Sequence, residues 1–262
     1  MKTTKEQIDY MIHAYVVEKK NTYQIAEELG ISNPTVGNHL RKNGIVLSPQ
    51  KYKFNEHYFK QIDTPKKAYF LGLIYADGCV FPKKNSCSIK LTREDDYILE
   101  EFKKDIDSQK PLSYTKAKPI TGTSYIGKAQ SKIELNSKIL INDLQKLGVV
   151  QNKSLILKFP TEIPYMRDFI RGYFDGDGCI YNSQKRIMLN FVGSEHFCKG
   201  LCSFLKSELD IDLSTKQDKR GNSWYIYIHR INDVLKFCKY IYEDENCVKL
   251  NRKYEKYKTY LG

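Results

Sequence analysis

Residues 69–80 of the chain read YFLGLIYADGCV, and residues 169–180 read FIRGYFDGDGCI. The two stretches are offset by 100 residues, and in both a glycine is followed five positions later by Asp-Gly-Cys. Repetition on this scale indicates two copies of one structural unit. The fold is therefore expected to be a pseudo-symmetric pair built around these two segments.

Each segment is predicted to be a helix that ends at its Asp-Gly pair. Thr64 and Pro65 suit the N-cap and first turn of the first helix, and Pro164 is expected to open the second in the same way. Small residues four positions apart share one helix face and allow two backbones to approach closely. We therefore expect the helices to pack against each other through Gly72, Ala76, Gly172 and Gly176.

Such packing would bring Asp77 and Asp177 together at the C-terminal ends of the two helices. An acid at that end opposes the helix dipole, so its appearance in both copies suggests a function. Two neighbouring carboxylates repel each other and need a counter-charge. Hard oxygen ligands suit Mg²⁺, and we expect Mn²⁺ to be able to replace it.

The order of elements after each helix also repeats, which predicts an α+β fold of two αββαββα halves. In the first half the predicted strands are 79–82, 87–92, 112–118 and 124–136, and the helices are 95–106 and 137–147. In the second half the strands are 179–182, 186–192, 212–218 and 223–230, and the helices are 194–209 and 232–243. Antiparallel sheets of this kind bury one face under helices and leave the other free.

The charge balance favours a polyanionic partner. The chain of 262 residues has 43 basic and 31 acidic side chains, a net charge of +12, and most of the excess lies between residues 51 and 160. This basicity, together with 20 tyrosines, favours nucleic acid. Without an apolar run of about 18–20 residues, no membrane span is expected. With no signal-peptide pattern and seven cysteines lacking a CxxC pair, we expect a cytoplasmic, non-secreted protein in a bacterial, phage or organelle interior.

The free sheet faces are expected to form a saddle that contacts duplex DNA. In strand 223–230, Ile226 and Ile228 should point inward, which turns the alternate residues outward. The candidate DNA contacts of the first half are Lys83, Lys90, Lys116, Lys118, Lys128 and Lys132. Those of the second half are Lys185, Arg186, Asn190, Lys216, Arg220, Tyr225, Tyr227 and His229.

Residues 1–46 are predicted to form a separate domain of three helices, over 4–19, 23–29 and 33–43, with Thr22 as the cap of the second. Small or apolar residues at Ala26, Gly30, Ile31, Val36 and Leu40 make this stretch resemble a helix-turn-helix. The third helix would then offer Asn33, Thr35, Asn38, His39, Arg41 and Lys42 to a major groove. A helical protein-binding or dimerisation module is the alternative.

The remaining predicted boundaries are a linker over 47–63, the first repeated half over 64–160 and the second over 161–262. The paired FLGLIYADG and IRGYFDGDG segments, each followed by the ββαββα order, resemble the LAGLIDADG homing endonuclease family in its single-chain, two-motif form. The resemblance covers about residues 54–262. It implies a monomeric, site-specific, Mg²⁺-dependent double-strand DNA endonuclease, and two half-domains suggest a target of about 20 bp or longer.

The resemblance also assigns site residues. It implies that Asp77 and Asp177 hold the metal and that the carbonyls of Ala76 and Gly176 join them. A basic residue after the last helix of each half lines the site in this family. Lys153 and Lys253 match, each 76 residues after its aspartate. Tyr75 departs from the acid that the family usually has at that place, whereas Asp175 keeps it.

Two other functions remain open for this sequence. One is a non-cleaving, sequence-specific DNA-binding transcription regulator, against which the retention of both aspartates argues. The other is an intron RNA maturase, against which the helix-turn-helix argues because it favours duplex DNA.

Overall fold

The structure is a computed structural model that describes residues 3–18, 20–45, 47, 52–122, 124–183, 186–219 and 221–261. The chain divides into two compact units, Met1–Lys53 and Phe54–Gly262. Within the described ranges, no helix is both long enough and apolar enough to cross a membrane.

The first unit contains three helices: α1 (Lys5–Val16), α2 (Thr22–Leu29) and α3 (Asn33–Lys42). Their inner faces meet in a small apolar core of Met11, Ala14, Ile25, Ala26, Val36 and Leu40. The turn between α2 and α3 uses Gly30 at φ +63°, a left-handed conformation that glycine adopts without penalty. The predicted cap at Thr22 is wrong: Asn21 caps α2, because its side chain accepts from the amides of Tyr23 and Gln24.

The second unit contains the two repeated halves. The first half consists of α4 (Pro65–Asp77), β1 (Gly78–Phe81), β2 (Ser86–Thr92), α5 (Asp96–Asp105), β3 (Ser113–Thr115), β4 (Lys118–Pro119), β5 (Ile126–Gly127), β6 (Gln130–Asn136) and α6 (Lys138–Lys146). The second half consists of α7 (Met166–Asp177), β7 (Gly178–Ser183), β8 (Arg186–Gly193), α8 (Glu195–Leu209), β9 (Thr215–Gln217), β10 (Trp224–Ile228) and α9 (Ile231–Tyr242). A last helix, α10 (Asn251–Leu261), follows.

Each half forms one four-stranded sheet with the same connectivity. The strand orders are β1-β2-β6-β3 and β7-β8-β10-β9, and the paired strands are antiparallel. In β10, Ile226 and Ile228 are fully buried, as predicted. The predicted α+β class, with two repeated halves preceded by a helical segment, is confirmed.

The core of the second unit lies between the sheets and the two motif helices, α4 and α7. Nine consecutive residues of α4, from Ala68 to Ala76, are buried, and so are eight of α7, from Asp168 to Asp175. A helix that is buried on every side must pack against protein on every side. The two motif helices are therefore the central elements of this unit.

Two predicted element boundaries differ from the structure. Pro164 does not open the second motif helix: α7 begins at Met166, after Tyr165 at φ +59°, and has no side-chain cap. The predicted strands 112–118 and 124–136 are interrupted, because Lys118–Pro119 pairs only with Ile126–Gly127 in a separate hairpin. Proline has no amide hydrogen, which disfavours Pro119 in the continuous ladder of the main sheet.

Candidate active site

The two motif helices touch through their glycines. A Cβ placed on Gly72 would lie 2.0 Å from the carbonyl oxygen of Phe169, and one on Gly172 would lie 1.9 Å from that of Tyr69. A Cβ on Gly176 would lie 2.3 Å from the Cβ of Ala76. Only residues with a small side chain, or with none, fit at this contact between α4 and α7. The structure thus brings the four predicted interface residues together along the α4–α7 contact.

Asp77 and Asp177 are the last residues of α4 and α7, and both are half-buried. The Asp77 carboxylate lies against the other motif, because a Cβ on Gly176 would come within 3.0 Å of its Oδ2. Burial raises the pKa of both carboxyls, and the charge of Asp77 contributes to raising that of Asp177 to about 6. The two acids therefore lie close enough to repel each other.

The chain turns sharply after each aspartate because glycine follows. Gly78 and Gly178 have extended backbones rather than the left-handed conformation typical of helix ends. A Cβ on Gly78 would lie 2.5 Å from the carbonyl oxygen of Ile74, and one on Gly178 would lie 2.5 Å from that of Phe174. Close approach to the preceding turn is thus the reason for glycine at these positions. Each turn leads directly into the first strand of its half.

The two predicted lysines bind the backbone at these same turns. Lys153 Nζ donates to the carbonyls of Ala76 at 2.8 Å and Gly78 at 2.6 Å. Lys253 Nζ donates to the carbonyls of Phe174 at 2.5 Å, Asp175 at 2.7 Å and Gly178 at 2.5 Å. Each lysine therefore closes the helix-to-strand turn of its own half.

The charges of the lysines act across the two halves. Lys253 is the cation that most lowers the pKa of Asp77, and Lys153 is the one that most lowers the pKa of Asp177. Burial in turn lowers the pKa of Lys153, and it lowers that of Lys253 to about 8. Two acids and two bases thus share one partly dehydrated site at the helix ends.

The donor set fits a hard divalent cation. Among the described residues, neither aspartate makes an ion pair with a lysine or arginine within 4.0 Å. A dication between the carboxylates would offset their repulsion. No group of three or more His, Cys, Asp or Glu suited to a metal occurs in the described ranges, so the side-chain ligands would be these two carboxylates. Mg²⁺ accepts few protein ligands because it retains water. The Ala76 carbonyl, a predicted ligand, already accepts from Lys153.

The first-half sheet presents part of the predicted basic surface. Lys90 is exposed on β2 and lies opposite the half-buried Lys132 of β6. Lys83 is exposed in the turn Pro82–Lys84, and Lys118 is exposed in the small hairpin. Lys116 and Lys128 were expected within strands, but both lie in the connections around that hairpin, where Lys128 pairs with Glu94 at 3.5 Å.

The second-half sheet presents aromatic rings. Tyr225 and Tyr227 stack with their ring centroids 6.0 Å apart, Asn190 lies opposite Tyr227, and Lys216 lies opposite Tyr225. Arg186 is exposed at the start of β8. His229 is exposed but follows β10 instead of lying in it, because that strand ends at Ile228. Lys185 and Arg220 lie outside the described residues.

In the first unit, the six predicted contact residues lie on α3. Asn38, Arg41 and Lys42 are exposed, and Arg41 Nη1 donates to Asn38 Oδ1 at 3.1 Å. Asn33, Thr35 and His39 are half-buried, and Thr35 is bonded to the capping residue Ser32. A surface groove runs between α3 and the start of α2, lined by Tyr23, Asn33 and Asn38 among others.

Buried polar residues surround the site, and the sequence resemblance points to Asp175 among them but not to Asp168 or Arg171. Asp175, two residues before Asp177, accepts from the Tyr69 hydroxyl and from the Leu250 amide, both at 2.8 Å. Arg171 is 2% exposed and donates to Asp168 at 2.6 Å. Acidic or basic residues on a helix otherwise predicted to be buried are the signal that identifies such networks.

The two central helices end at neighbouring aspartates, and each helix leads into an antiparallel half of the same topology. Residues 164–242 match the family described as LAGLIDADG-like domain. No curated protein sequence matches the chain.

Several solved structures are similar to this chain. The homing endonuclease I-WcaI bound to its DNA recognition sequence has a TM-score of 0.55 at 17% identity, covering 82% of this chain and 96% of that chain. The meganuclease I-SmaMI bound to uncleaveable DNA has a TM-score of 0.48 at 13% identity, covering 74% and 89%. The N-terminal LAGLIDADG domain of DUF199/WhiA has a TM-score of 0.47 at 17% identity, covering 80% and 98%. The likeness to I-WcaI establishes the fold.

Proposed function

We propose that this protein is a site-specific DNA endonuclease that hydrolyses both strands of a duplex with Mg²⁺ held by Asp77 and Asp177. The observation that carries the proposal is the pair of half-buried carboxylates at the touching ends of α4 and α7, neither of them in an ion pair within the described residues. Two neighbouring carboxylates repel each other, and a cation bound between them would offset that repulsion.

Each residue of the site has its own role in the proposed reaction. Bound Mg²⁺ supplies neutralisation of the phosphate charge and activation of water. Asp77 and Asp177 hold the ion, and the positive charges of Lys153 and Lys253 stabilise the negative charge that develops on the phosphate. An ammonium group has three N–H donors. Lys153 uses two of them on carbonyls and keeps one for water or phosphate, whereas Lys253 uses three and acts through its charge.

The rest of the molecule supplies the affinity for DNA. The first-half sheet, with Lys90 and Lys132, and the second-half sheet, with Lys216 and the stacked tyrosines, face the duplex. Phosphate contacts position the duplex and base-edge contacts read its sequence. Helix α3 adds contacts from the first unit in the manner of a recognition helix. Because one chain contains both motifs, a monomer is sufficient.

A cleavage selection tests the proposal. A randomised duplex library is incubated with the full-length protein and Mg²⁺, and newly cut ends are captured and sequenced. Asp177→Asn is run in parallel, with Asp210→Asn as the matched control, because Asp210 is an exposed helix-end aspartate away from the site. We expect a single enriched cut site with the wild type and with Asp210→Asn, and none with Asp177→Asn.

The other outcomes are informative. An enriched bound sequence without cut ends would overturn the nuclease proposal and identify a DNA-binding regulator. Cutting that persists in Asp177→Asn would overturn the role of the aspartate pair. If DNA is neither bound nor cut, structured intron RNA becomes the substrate to test.

A further inference from the structure

The segment Val248–Lys253, which precedes and begins α10, is bonded to the second half around its motif helix. Arg171 Nε donates to the Val248 carbonyl at 2.8 Å, and the Leu250 amide donates to Asp175 Oδ2 at 2.8 Å. Lys253 follows one turn later and is 3% exposed. The second half thus holds the chain at two points shortly before this lysine.

The first half also holds this segment. The Tyr97 hydroxyl donates to the Lys249 carbonyl at 3.2 Å and accepts from the Asn251 amide at 2.6 Å. Arg252 Nε donates to both carboxylate oxygens of Asp95, at 2.9 and 3.2 Å. Asp95 is 3% exposed and lies immediately before α5. Two residues of the first half therefore fix the backbone next to a lysine of the second half.

Lys153 has no equivalent ion pair in the described part of the chain, although the Ser194 hydroxyl of the second half donates to the Leu157 carbonyl four residues later. This lysine lies in the short 3₁₀ turn Lys153–Leu155, after Asn152 at φ +55°, and the following Leu155 and Ile156 are exposed. Among the residues that the structure describes, no ion pair joins this turn to the second half. The two lysines are therefore positioned by different means, although their motifs repeat.

We propose that Asp95 and Arg252 form a cross-half latch that positions Lys253, so that the cutting of one DNA strand depends on an ion pair that the cutting of the other does not need. This inference rests on the proposed endonuclease function. The Lys253 ammonium bonds the carbonyls of Phe174, Asp175 and Gly178 at the end of α7, beside the aspartate pair. A displacement of α10 by about 1 Å would move that charge, and misplacement of this size can slow a reaction by about a hundredfold.

Asp95→Asn tests the latch more cleanly than a change of Arg252. The asparagine keeps the shape and the hydrogen bond from the Thr92 hydroxyl but removes the negative charge, and every positive charge near the site remains. Asp96→Asn is the matched control, because Asp96 is the next residue and pairs with Arg93 within the same half at 3.9 Å. Asp95→Glu, which keeps the charge, should restore part of the function.

The assay follows single-turnover cutting of a supercoiled plasmid that carries the selected site, at saturating protein. For Asp95→Asn we expect the first nick at the wild-type rate within about twofold, and conversion of nicked to linear DNA slowed by about tenfold or more. Asp96→Asn should match the wild type in both steps. Equal slowing of both steps would indicate general loss of structure and overturn the latch, as would unchanged rates.

Hydrogen exchange gives a readout that does not require cleavage. In the full-length protein without DNA, Asp95→Asn should speed exchange at the amides of residues 249–254, whereas Asp96→Asn should not. If the wild type cuts neither strand, the proposed function fails while faster exchange still supports a latch on α10. Unchanged exchange in Asp95→Asn would overturn the latch whether or not the protein cuts DNA.

Discussion

Gly72 lies directly against the backbone carbonyl of Phe169, so closely that a Cβ at Gly72 would come within 2.0 Å of the oxygen. Gly172 makes the reciprocal approach to Tyr69 from the other helix. The contact is therefore backbone against backbone, and it determines how near the two aspartates at the helix ends can come. Stability and the geometry of the site depend on the same pair of glycines.

Gly72→Ala and Gly172→Ala should each destabilise the protein by about 3 kcal/mol, because an added methyl forces two rigid backbones apart. Gly221→Ala is the control, since nothing lies within 4 Å of a Cβ at that position. Urea unfolding measures the change as a lower midpoint at constant slope. Wild-type midpoints for both motif variants would contradict the close packing of the helices.

Asp77→Asn and Asp177→Asn should each abolish cutting and leave DNA binding within a few-fold of the wild type. Asparagine keeps the shape of the side chain but removes the charge that would hold Mg²⁺. Plasmid cutting and gel-shift binding, run on the same preparations with and without a chelator, separate the two effects. Cutting by both variants at the wild-type rate would exclude a metal role for this pair.

Lys253→Met should destabilise the fold more than Lys153→Met. Removing the Lys253 ammonium leaves the carbonyls of Phe174, Asp175 and Gly178 without that donor in a buried environment, at a cost of about 3 kcal/mol. Lys153 is less buried and bonds two carbonyls, so we expect about 1 kcal/mol. Thermal unfolding of the two variants tests this order, and equal losses would show that the third hydrogen bond contributes nothing.

DNA binding should weaken steeply with salt, because contacts to phosphates release counterions. Lys90→Gln and Lys132→Gln should each reduce the slope of log Kd against log salt by about 1. Lys104→Gln is the control, because Lys104 is exposed on α5 and not on a strand of the sheet. A slope that is flat in the wild type would argue against the sheet faces as the DNA surface.

Substitutions in α3 should affect the recognition of DNA and leave the rate of strand cleavage unchanged. Asn38→Ala and Arg41→Ala remove exposed donors from the proposed recognition helix, and we expect each to weaken specific binding by about 1–3 kcal/mol. The single-turnover cutting rate at saturating DNA should stay unchanged. Lys5→Ala, on α1, serves as the control. Full binding by both α3 variants would favour the reading of the first unit as a protein-binding module.

Short-range patterns in the sequence are sufficient to predict much of the architecture. The spacing of Gly72 from Ala76, and of Gly172 from Gly176, places small residues on one helix face because a helix repeats every ~3.6 residues. The alternation around Ile226 and Ile228 likewise identifies a strand with one buried face. The repeat itself predicts that the two helices pair, and with them Asp77 and Asp177.

Boundaries and loops were less predictable. Pro164 is typical of a helix start, yet Tyr165 in a left-handed conformation separates it from α7. Lys116 and Lys128 alternate with other residues as in a strand, but the chain around Pro119 leaves the sheet and returns through a hairpin. Propensity is a local quantity, and tertiary contacts override it where the two disagree.

Local patterns are enough to predict the repeated fold and the pair of aspartates, because periodicity and small-residue spacing are encoded over a few residues. The support of the site depends instead on contacts between residues far apart in the chain. Lys253 lies among charged residues and tyrosines with no apolar periodicity, yet it is 3% exposed. Asp95 and Arg252, which hold the chain beside it, are 157 residues apart. Contacts at such separation depend on the path of irregular connections, for which a sequence has no periodic signal.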